Sequence, residues 1–294
     1  MFRQLSKRSQ ADLSMLIISF IWGLSFVLAK NALADIGPFV FVGFRFMLAF
    51  FVLAAWSYRD VFKLRRSTLG SGCLLGFFLF IGYAFQTVGL KYTTSSNAGF
   101  VTGVSVVLVP IIYSLLYKKK PSLATVITVT VAALGLFLIS VPLGSVKFSH
   151  GDLIVLVGAF GFAIHIILVD YYSHQHNAIA ITAIQVLVVG ILCTGLGWAF
   201  ETIPARITLN AMSAIIVTAV LSTALAFLVQ NYMQRFSTPT RFAVVLTSEP
   251  VFAAMAGYIW AGERLSGSGL LGAGLILAAM LVTVLFKKKV PTPL

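Results

Sequence analysis

What this 294-residue sequence lacks first is charge. Eight acidic and 21 basic residues make up 10% of the chain, against about 25% in an ordinary soluble domain. Cysteine is nearly absent too. Cys73 and Cys193 both sit in apolar runs, which leaves no disulfide framework and no metal-ligand cluster and makes the thiols small packing residues. No HExxH, GxSxG or GxxxxGK(S/T) occurs, so a metalloprotease, a hydrolase and an ATP-driven pump are without sequence support. One literal GxGxxG, at residues 267–272, has neither a preceding strand nor an acidic residue about 20 positions on, and its glycines open an apolar run instead. The sequence therefore implies no cofactor, no metal and no enzyme, and any driving energy must come from gradients.

What is present is apolar: 59% hydrophobic residues and a mean hydropathy of +1.00. The chain reads as an all-α integral membrane protein. A net charge of +13 raises the question of nucleic acid, but the basic residues fall in short clusters between long apolar runs, as topology signals do. No nucleic-acid partner is expected, and lipids surround the protein. The basic N-terminus followed by an apolar run from Leu13 imitates a signal peptide, yet no small-residue cleavage site closes a short apolar core. It is taken as a retained first span.

Ten runs have the length of a membrane helix, at 12–33, 38–58, 69–90, 95–117, 122–142, 151–171, 178–200, 210–234, 239–261 and 266–286. With the N-terminus inside, the inner segments hold Arg3, Lys7, Arg8, Arg59, Lys63, Arg65, Arg66, Lys118, Lys119, Lys120, Arg235, Arg241, Lys287, Lys288 and Lys289. The outer ones hold Lys30, Lys91, Lys147, Arg206 and Arg264, so both termini read as cytoplasmic. Trp56, Tyr58, Tyr117, Tyr171, Tyr172, Trp198 and Trp260 fall at span ends, as interfacial aromatics do.

Shifted on itself by about 140 residues, the chain shows an internal repeat. Asp12-Leu13 meets Asp152-Leu153, the Gln86 to Thr94 segment meets Gln230 to Thr238, and Pro110 meets Pro250. The expected architecture is ten transmembrane helices in two five-helix repeats, 1–145 and 146–294, forming one membrane domain. An odd number of spans per repeat inverts the second half, and the charges agree: Lys118-Lys119-Lys120 is basic inside, while its counterpart Gly262-Glu263-Arg264 is balanced outside.

One stretch, residues 244–265, buries a carboxylate and a proline, Glu249-Pro250, near the middle of a span. Ionisable groups at that depth face a protein interior or a watery cavity. Pro250 withholds an N–H and frees a carbonyl one turn earlier, so the expectation is a broken helix lining a site, with Pro110 as the first-half helix break. Glu249 is the leading candidate, as a protonatable group or as the partner of a substrate ammonium; the bland alternative is a neutral carboxyl that satisfies freed backbone. Arg45 suits a substrate carboxylate, but it lies about eight residues, or ~12 Å, from the outer end of its span, where structural pairing or headgroup contact serves equally. His165 is either a proton relay or a hydrogen-bonded core residue. Gln86, Gln230 and Asn231 bond a ligand or hold helices together, and Tyr83 and Trp22 stack on a substrate or pack the core. Asp170, near the inner end, reads as an interface residue. Gly72 to Gly76 and Gly99 to Gly103 match GxxxG, the mark of close helix packing.

Together these residues resemble the EamA family of the drug/metabolite transporter superfamily. The carriers are Trp22-Gly23-Leu24-Ser25-Phe26, Arg45-Phe46-Met47-Leu48-Ala49 and Gly89-Leu90-Lys91-Tyr92-Thr93-Thr94-Ser95-Ser96-Asn97-Ala98. In the second half they are Glu249-Pro250-Val251-Phe252-Ala253-Ala254 and Gly262-Glu263-Arg264-Leu265, whereas in the first half Val109 precedes Pro110 where a carboxylate would match. The resemblance implies ten helices in two inverted repeats around a central cavity and export of small metabolites, amino acids in one branch. The expectation is a monomeric secondary transporter in a bacterial cytoplasmic membrane, exporting amino acids or derivatives by alternating access, with protons as the candidate coupling ion. The cavity should be lined by spans one, three, four, six, eight and nine. The alternatives are an exporter of other metabolites or drugs, a channel, and an intramembrane enzyme or lipid-handling protein with Glu249 and His165 as acid and base. That last reading requires the two side chains within ~3 Å, directly or through one water, although His165 should lie several ångströms nearer the cytoplasm.

Overall fold

The structure, a computed structural model, describes residues 6–62, 65–118, 120–140, 149–260 and 266–285. Arg3, Lys63, Lys119, Lys147, Gly262-Glu263-Arg264, Lys287, Lys288, Lys289 and the expected span ends at 142, 261 and 286 lie outside the described residues. Among the described residues all regular structure is helical. In order come α1 (Lys7–Ala32), α2 (Pro38–Trp56), α3 (Tyr58–Phe62), α4 (Arg66–Lys91), α5 (Ser95–Gly103), α6 (Ser105–Tyr117) and α7 (Leu123–Ser140). The second half holds α8 (His150–Ser173), α9 (Ala178–Phe200), α10 (Leu209–Val217), a π-helical stretch (Thr218–Leu225), α11 (Ala226–Met233), α12 (Pro239–Leu246), α13 (Ser248–Trp260) and α14 (Gly267–Leu285). Nine segments among the described residues are long and apolar enough to cross a membrane. The expected fifth span, α7, is apolar but shorter over its described length.

The two interrupted spans break at corresponding places. Thr94 caps α5 by accepting the N–H of Asn97, and Thr238 caps α12 by accepting that of Arg241. The helices then end at Val104 and Thr247, ten and nine residues beyond their caps. The second break lies three residues before Pro250, which falls in the first turn of α13, where its missing N–H has no partner to lose. Pro110 is not the break expected of it. It lies inside α6, six residues past Val104, so the interruption is set by the start of a new helix and not by the proline.

Hydrophobic burial does not hold such helices together in lipid; close packing does, and small residues permit it. Gly89 and Gly151 face one another across α4 and α8, each so near the other's carbonyl that a Cβ would fall within 2.7 Å of it. Gly72 and Gly76 lie against Ile184 and Val188 of α9. Gly99 and Gly103 meet Ala253, Leu136 and Pro250. Cys193 is buried as expected, but Cys73 is exposed on α4. The aromatics at Trp56, Tyr58, Trp198 and Trp260 are also exposed, consistent with interfacial rings.

Gly23 carries the contact that matters most to the site. A Cβ there would meet Phe252 Cβ at 2.7 Å, Ala253 N at 2.8 Å and the Glu249 carbonyl at 2.9 Å. Two of these are backbone atoms that cannot swing aside. Gly23→Ala is expected to lower stability by about 1–3 kcal/mol and to push α13 off α1, read as a lower melting temperature in detergent. A melting curve unchanged from wild type would show that α1 and α13 separate freely.

Each end of the bundle carries a polar clasp. At the end where α1 begins, Arg241 grips Asp12 through Nε and Nη2 at 2.9 and 2.6 Å, and it donates to the carbonyls of Thr283 and Val284 on α14. Arg241, expected as a loop cation, is therefore a buried part of α12, because a carboxylate from α1 and helix-end carbonyls accept from Nε, Nη1 and Nη2. At the other end Thr93 donates to Asp152 at 2.6 Å, Lys30 donates to the carbonyls of Leu90 and Thr93, and Glu201 accepts the N–H groups of Phe39 and Val40. Glu201 thus caps α2, whose own N-cap, Gly37, has no side chain to do so. Asp12 and Asp152, matched by the repeat, both dock close to the capping threonine of the other half, Asp12 on Arg241 three residues after Thr238 and Asp152 on Thr93 just before Thr94.

Candidate functional site

A cavity of ≈ 60 Å³ lies among α1, α2, α4, α5, α6, α8, α11, α12 and α13. Six of the residues singled out from sequence line it: Trp22, Arg45, Tyr83, Gln86, His165 and Glu249, with Gln230 as a seventh. The lining also includes α2, which the sequence reading left out and which enters through Arg45 alone. Asn231 does not reach the cavity. It holds α11 to α9 by donating to Thr182 at 3.0 Å and to its own helix at the Phe227 carbonyl. Pro110 and Pro250 are not in the lining either; they shape the helices that supply it.

The π-helical stretch decides how the cavity wall is built. A π turn skips one carbonyl of the α pattern. Here the N–H of Ala226 bonds back to Leu221 and Thr223, leaving the Ser222 carbonyl to side chains. The Trp22 indole donates to it at 2.8 Å, and Arg45 Nη2 reaches it at 3.4 Å. Arg45 Nε donates to the Thr223 hydroxyl at 2.7 Å, which in turn donates to the Thr218 carbonyl. Sequence reasoning missed Ser222 and Thr223. Their only signal was a run of small and hydroxyl residues, TAVLSTAL, in an otherwise apolar span.

Arg45 is 3% exposed and has no carboxylate partner among the described residues. Its guanidinium lies 4.9 Å from the Tyr83 ring centroid and 5.5 Å from that of Phe46, and Nη2 is 3.5 Å from the Tyr83 hydroxyl. Cation–π contact and neutral acceptors hold such a group in place but leave its charge uncompensated. Tyr83 meets Phe46, Phe162 and Phe227 edge-on at 4.8, 5.2 and 5.9 Å, and Trp22 meets Phe227 at 5.5 Å. The wall around the cation is therefore aromatic.

Glu249 sits in the first turn of α13, the eleventh residue of the 22-residue segment Pro239–Trp260. Its carboxyl makes no hydrogen bond among the described residues, so the partnered, purely structural role is not what the geometry shows. Gln86 donates to Thr102 at 2.9 Å across α4 and α5. Gln230 donates to Gln234 at 3.4 Å, while its Oε1 is buried without a partner. His165 Nε2 lies 2.8 Å from Gln185 Oε1, and its ring packs edge-on against Phe227. With that amide oxygen as acceptor, Nε2 carries the proton. No hydrogen bond joins His165 to Glu249, although both line the cavity. No group of three or more metal-ligating side chains occurs among the described residues.

Apolar helices long enough to span a bilayer thus enclose a small cavity that holds an uncompensated cation and an unpartnered carboxyl, the build of a multi-pass membrane protein with an internal polar site. The chain belongs to the EamA-like transporter family, whose model matches residues 9–141 and again 149–285. An "uncharacterized transporter" of Archaeoglobus fulgidus is 35% identical over 251 residues, 84% of this chain and 77% of its own. The threonine/homoserine exporter RhtA of Salmonella typhimurium is 28% identical over 282 residues, 90% of this chain and 88% of its own. A solved crystal structure with 16% sequence identity matches over 93% of this chain and 96% of its own with a TM-score of 0.76, a likeness of fold alone.

Proposed function

We propose that the protein is a secondary transporter that exports small zwitterionic metabolites, amino acids or their derivatives, across the cytoplasmic membrane by alternating access. The observation that carries this reading is one cavity holding a cation and a carboxyl without charged partners, Arg45 and Glu249. A zwitterion supplies both missing partners, its carboxylate to the guanidinium fork and its ammonium to Glu249. Gln230 Oε1 offers a further acceptor, and Trp22, Tyr83, Phe162 and Phe227 form the wall against which a side chain packs. Size supports a small substrate: a water needs about 10–15 Å³ on the scale by which this cavity measures ≈ 60 Å³. Drug-sized ligands are disfavoured. The RhtA likeness, to an exporter of threonine and homoserine, points the same way.

Ten spans in two inverted five-helix repeats remain the architecture that we assign, with both termini cytoplasmic and the monomer as the working unit. The twofold family match, the paired breaks at Val104 and Thr247, and the paired clasps at Asp12 and Asp152 support it. Rocking of the two halves about the central cavity would open its ends in turn.

Counterflow of labelled threonine and other amino acids in proteoliposomes, with and without a pH gradient, tests this. Wild type is expected to show saturable uptake that responds to the gradient, and Glu249→Gln to keep saturable binding while losing the response. Gradient-dependent uptake equal in both proteins would remove Glu249 from coupling, and absence of saturable counterflow for every amino acid would remove the substrate class.

A further inference from the structure

A second cavity, of ≈ 340 Å³, opens at the end of the bundle where α1 begins, among α1, α6, α7, α12 and α14. Its lining is unlike that of the central site. Arg8, Lys120 and Arg241 enter it, together with the hydroxyls of Ser114, Ser122 and Thr240, and no acidic residue lines it. Asp12 is the nearby carboxylate; it pairs with Arg241 at 2.6 Å and also attracts Arg8. Lys120, Ser114 and Thr240 have no hydrogen-bond partner among the described residues, whereas the Ser122 hydroxyl bonds that of Thr125 at 3.0 Å and accepts the Thr125 N–H at 3.3 Å. Three cations thus stand against the single carboxylate of Asp12, so the cavity carries net positive charge, and the Ser114 and Thr240 hydroxyls are unspent. Cations with several hydroxyl donors are the chemistry of a phosphate group, which accepts many hydrogen bonds and carries the opposite charge. Basic pockets between membrane helices on the cytoplasmic side hold anionic headgroups in this way, and the cytoplasmic placement of this end rests on the orientation proposed above.

We propose that this cavity is a binding site for a phosphate-bearing anion, either the phosphodiester of an anionic phospholipid or free phosphate. Occupancy would bridge the loop at Lys120 to α1 and α12 beside the Asp12–Arg241 clasp, tying α6 and α7 of the first half to α12 and α14 of the second. The site is separate from the central cavity, and none of its residues lines that cavity.

The test uses the full-length protein in detergent, with native mass spectrometry and melting curves. The probes are phosphatidylglycerol, phosphatidylcholine and inorganic phosphate. Wild type is expected to retain phosphatidylglycerol over phosphatidylcholine and to melt higher with it. Lys120→Gln and Arg8→Gln should each weaken retention by about fivefold, the share that one basic residue contributes near an anionic lipid. Lys91→Gln, which removes the same charge at the opposite end, should leave retention unchanged. Lys120 is exposed, so its variant is expected to fold. Inorganic phosphate that displaces the lipid and raises the melting temperature alone would assign the site to the free anion; stabilisation by the lipid only would assign it to the headgroup. Equal retention of both lipids together with no effect of inorganic phosphate, or retention lowered as much by Lys91→Gln as by Lys120→Gln, would overturn the proposal.

Discussion

Asp12→Ala is expected to destabilise the protein by about 3–5 kcal/mol, the cost of leaving a buried charge without its partner. Asp12 and Arg241 are 8% and 6% exposed, and Arg241 also holds the Thr283 and Val284 carbonyls at the end of α14. Without the carboxylate, a guanidinium remains pinned among α1, α12 and α14 with only carbonyl dipoles to offset its charge. The double variant Asp12→Ala/Arg241→Met should recover most of the loss, because it removes the stranded charge and fills the space with an apolar chain of similar length. Unfolding in mixed micelles, followed for wild type, both single variants and the double variant, measures the coupling. A double variant as unstable as Asp12→Ala, or a single variant within about 1 kcal/mol of wild type, would show that the pair is not the clasp described here.

Arg45→Ala should lower amino-acid counterflow by about 100-fold, equivalent to ~3 kcal/mol for a charge-assisted interaction with a substrate carboxylate. Arg45→Lys should recover little. An ammonium presents no planar fork, so it cannot hold Thr223 Oγ1 and the Ser222 carbonyl while also meeting a carboxylate in two bonds. Because Arg45 also ties α2 to the π-helical stretch, counterflow must be expressed per folded molecule. Thr223→Val, which removes one tether but keeps the guanidinium, serves as the control and should retain most of the transport. Full transport by Arg45→Ala would place the substrate carboxylate elsewhere and leave Arg45 a structural residue.

Much of the site was legible in the sequence for a simple reason. In a chain that is 59% hydrophobic and 10% charged, each polar residue inside an apolar run is expensive to bury, so it stands out and asks for a purpose. Glu249, Arg45, His165, Gln86 and Gln230 were found in that way, and all line one cavity. The same logic misread Arg241. Its position near a span end resembles that of a loop cation, and nothing local says that Asp12, 229 residues earlier, will meet it. Pro110 misled for the opposite reason: a proline reads as a break, but a helix can absorb one, and the chain parts six residues earlier.

The sequence by itself determined that this is a bundle of membrane helices with a carboxylate and a cation at depth, because hydropathy, span length and the rarity of buried charge are properties of residues taken in order. Only the tertiary structure decided which charges pair and which do not. Asp12 takes Arg241, Asp152 takes Thr93, and Arg45 and Glu249 are left facing the same small space. Pairing depends on the approach of helices distant in sequence, set by glycine contacts such as Gly23 on α13 and by a π turn that turns one carbonyl toward Arg45. Neither leaves a periodic mark in the chain.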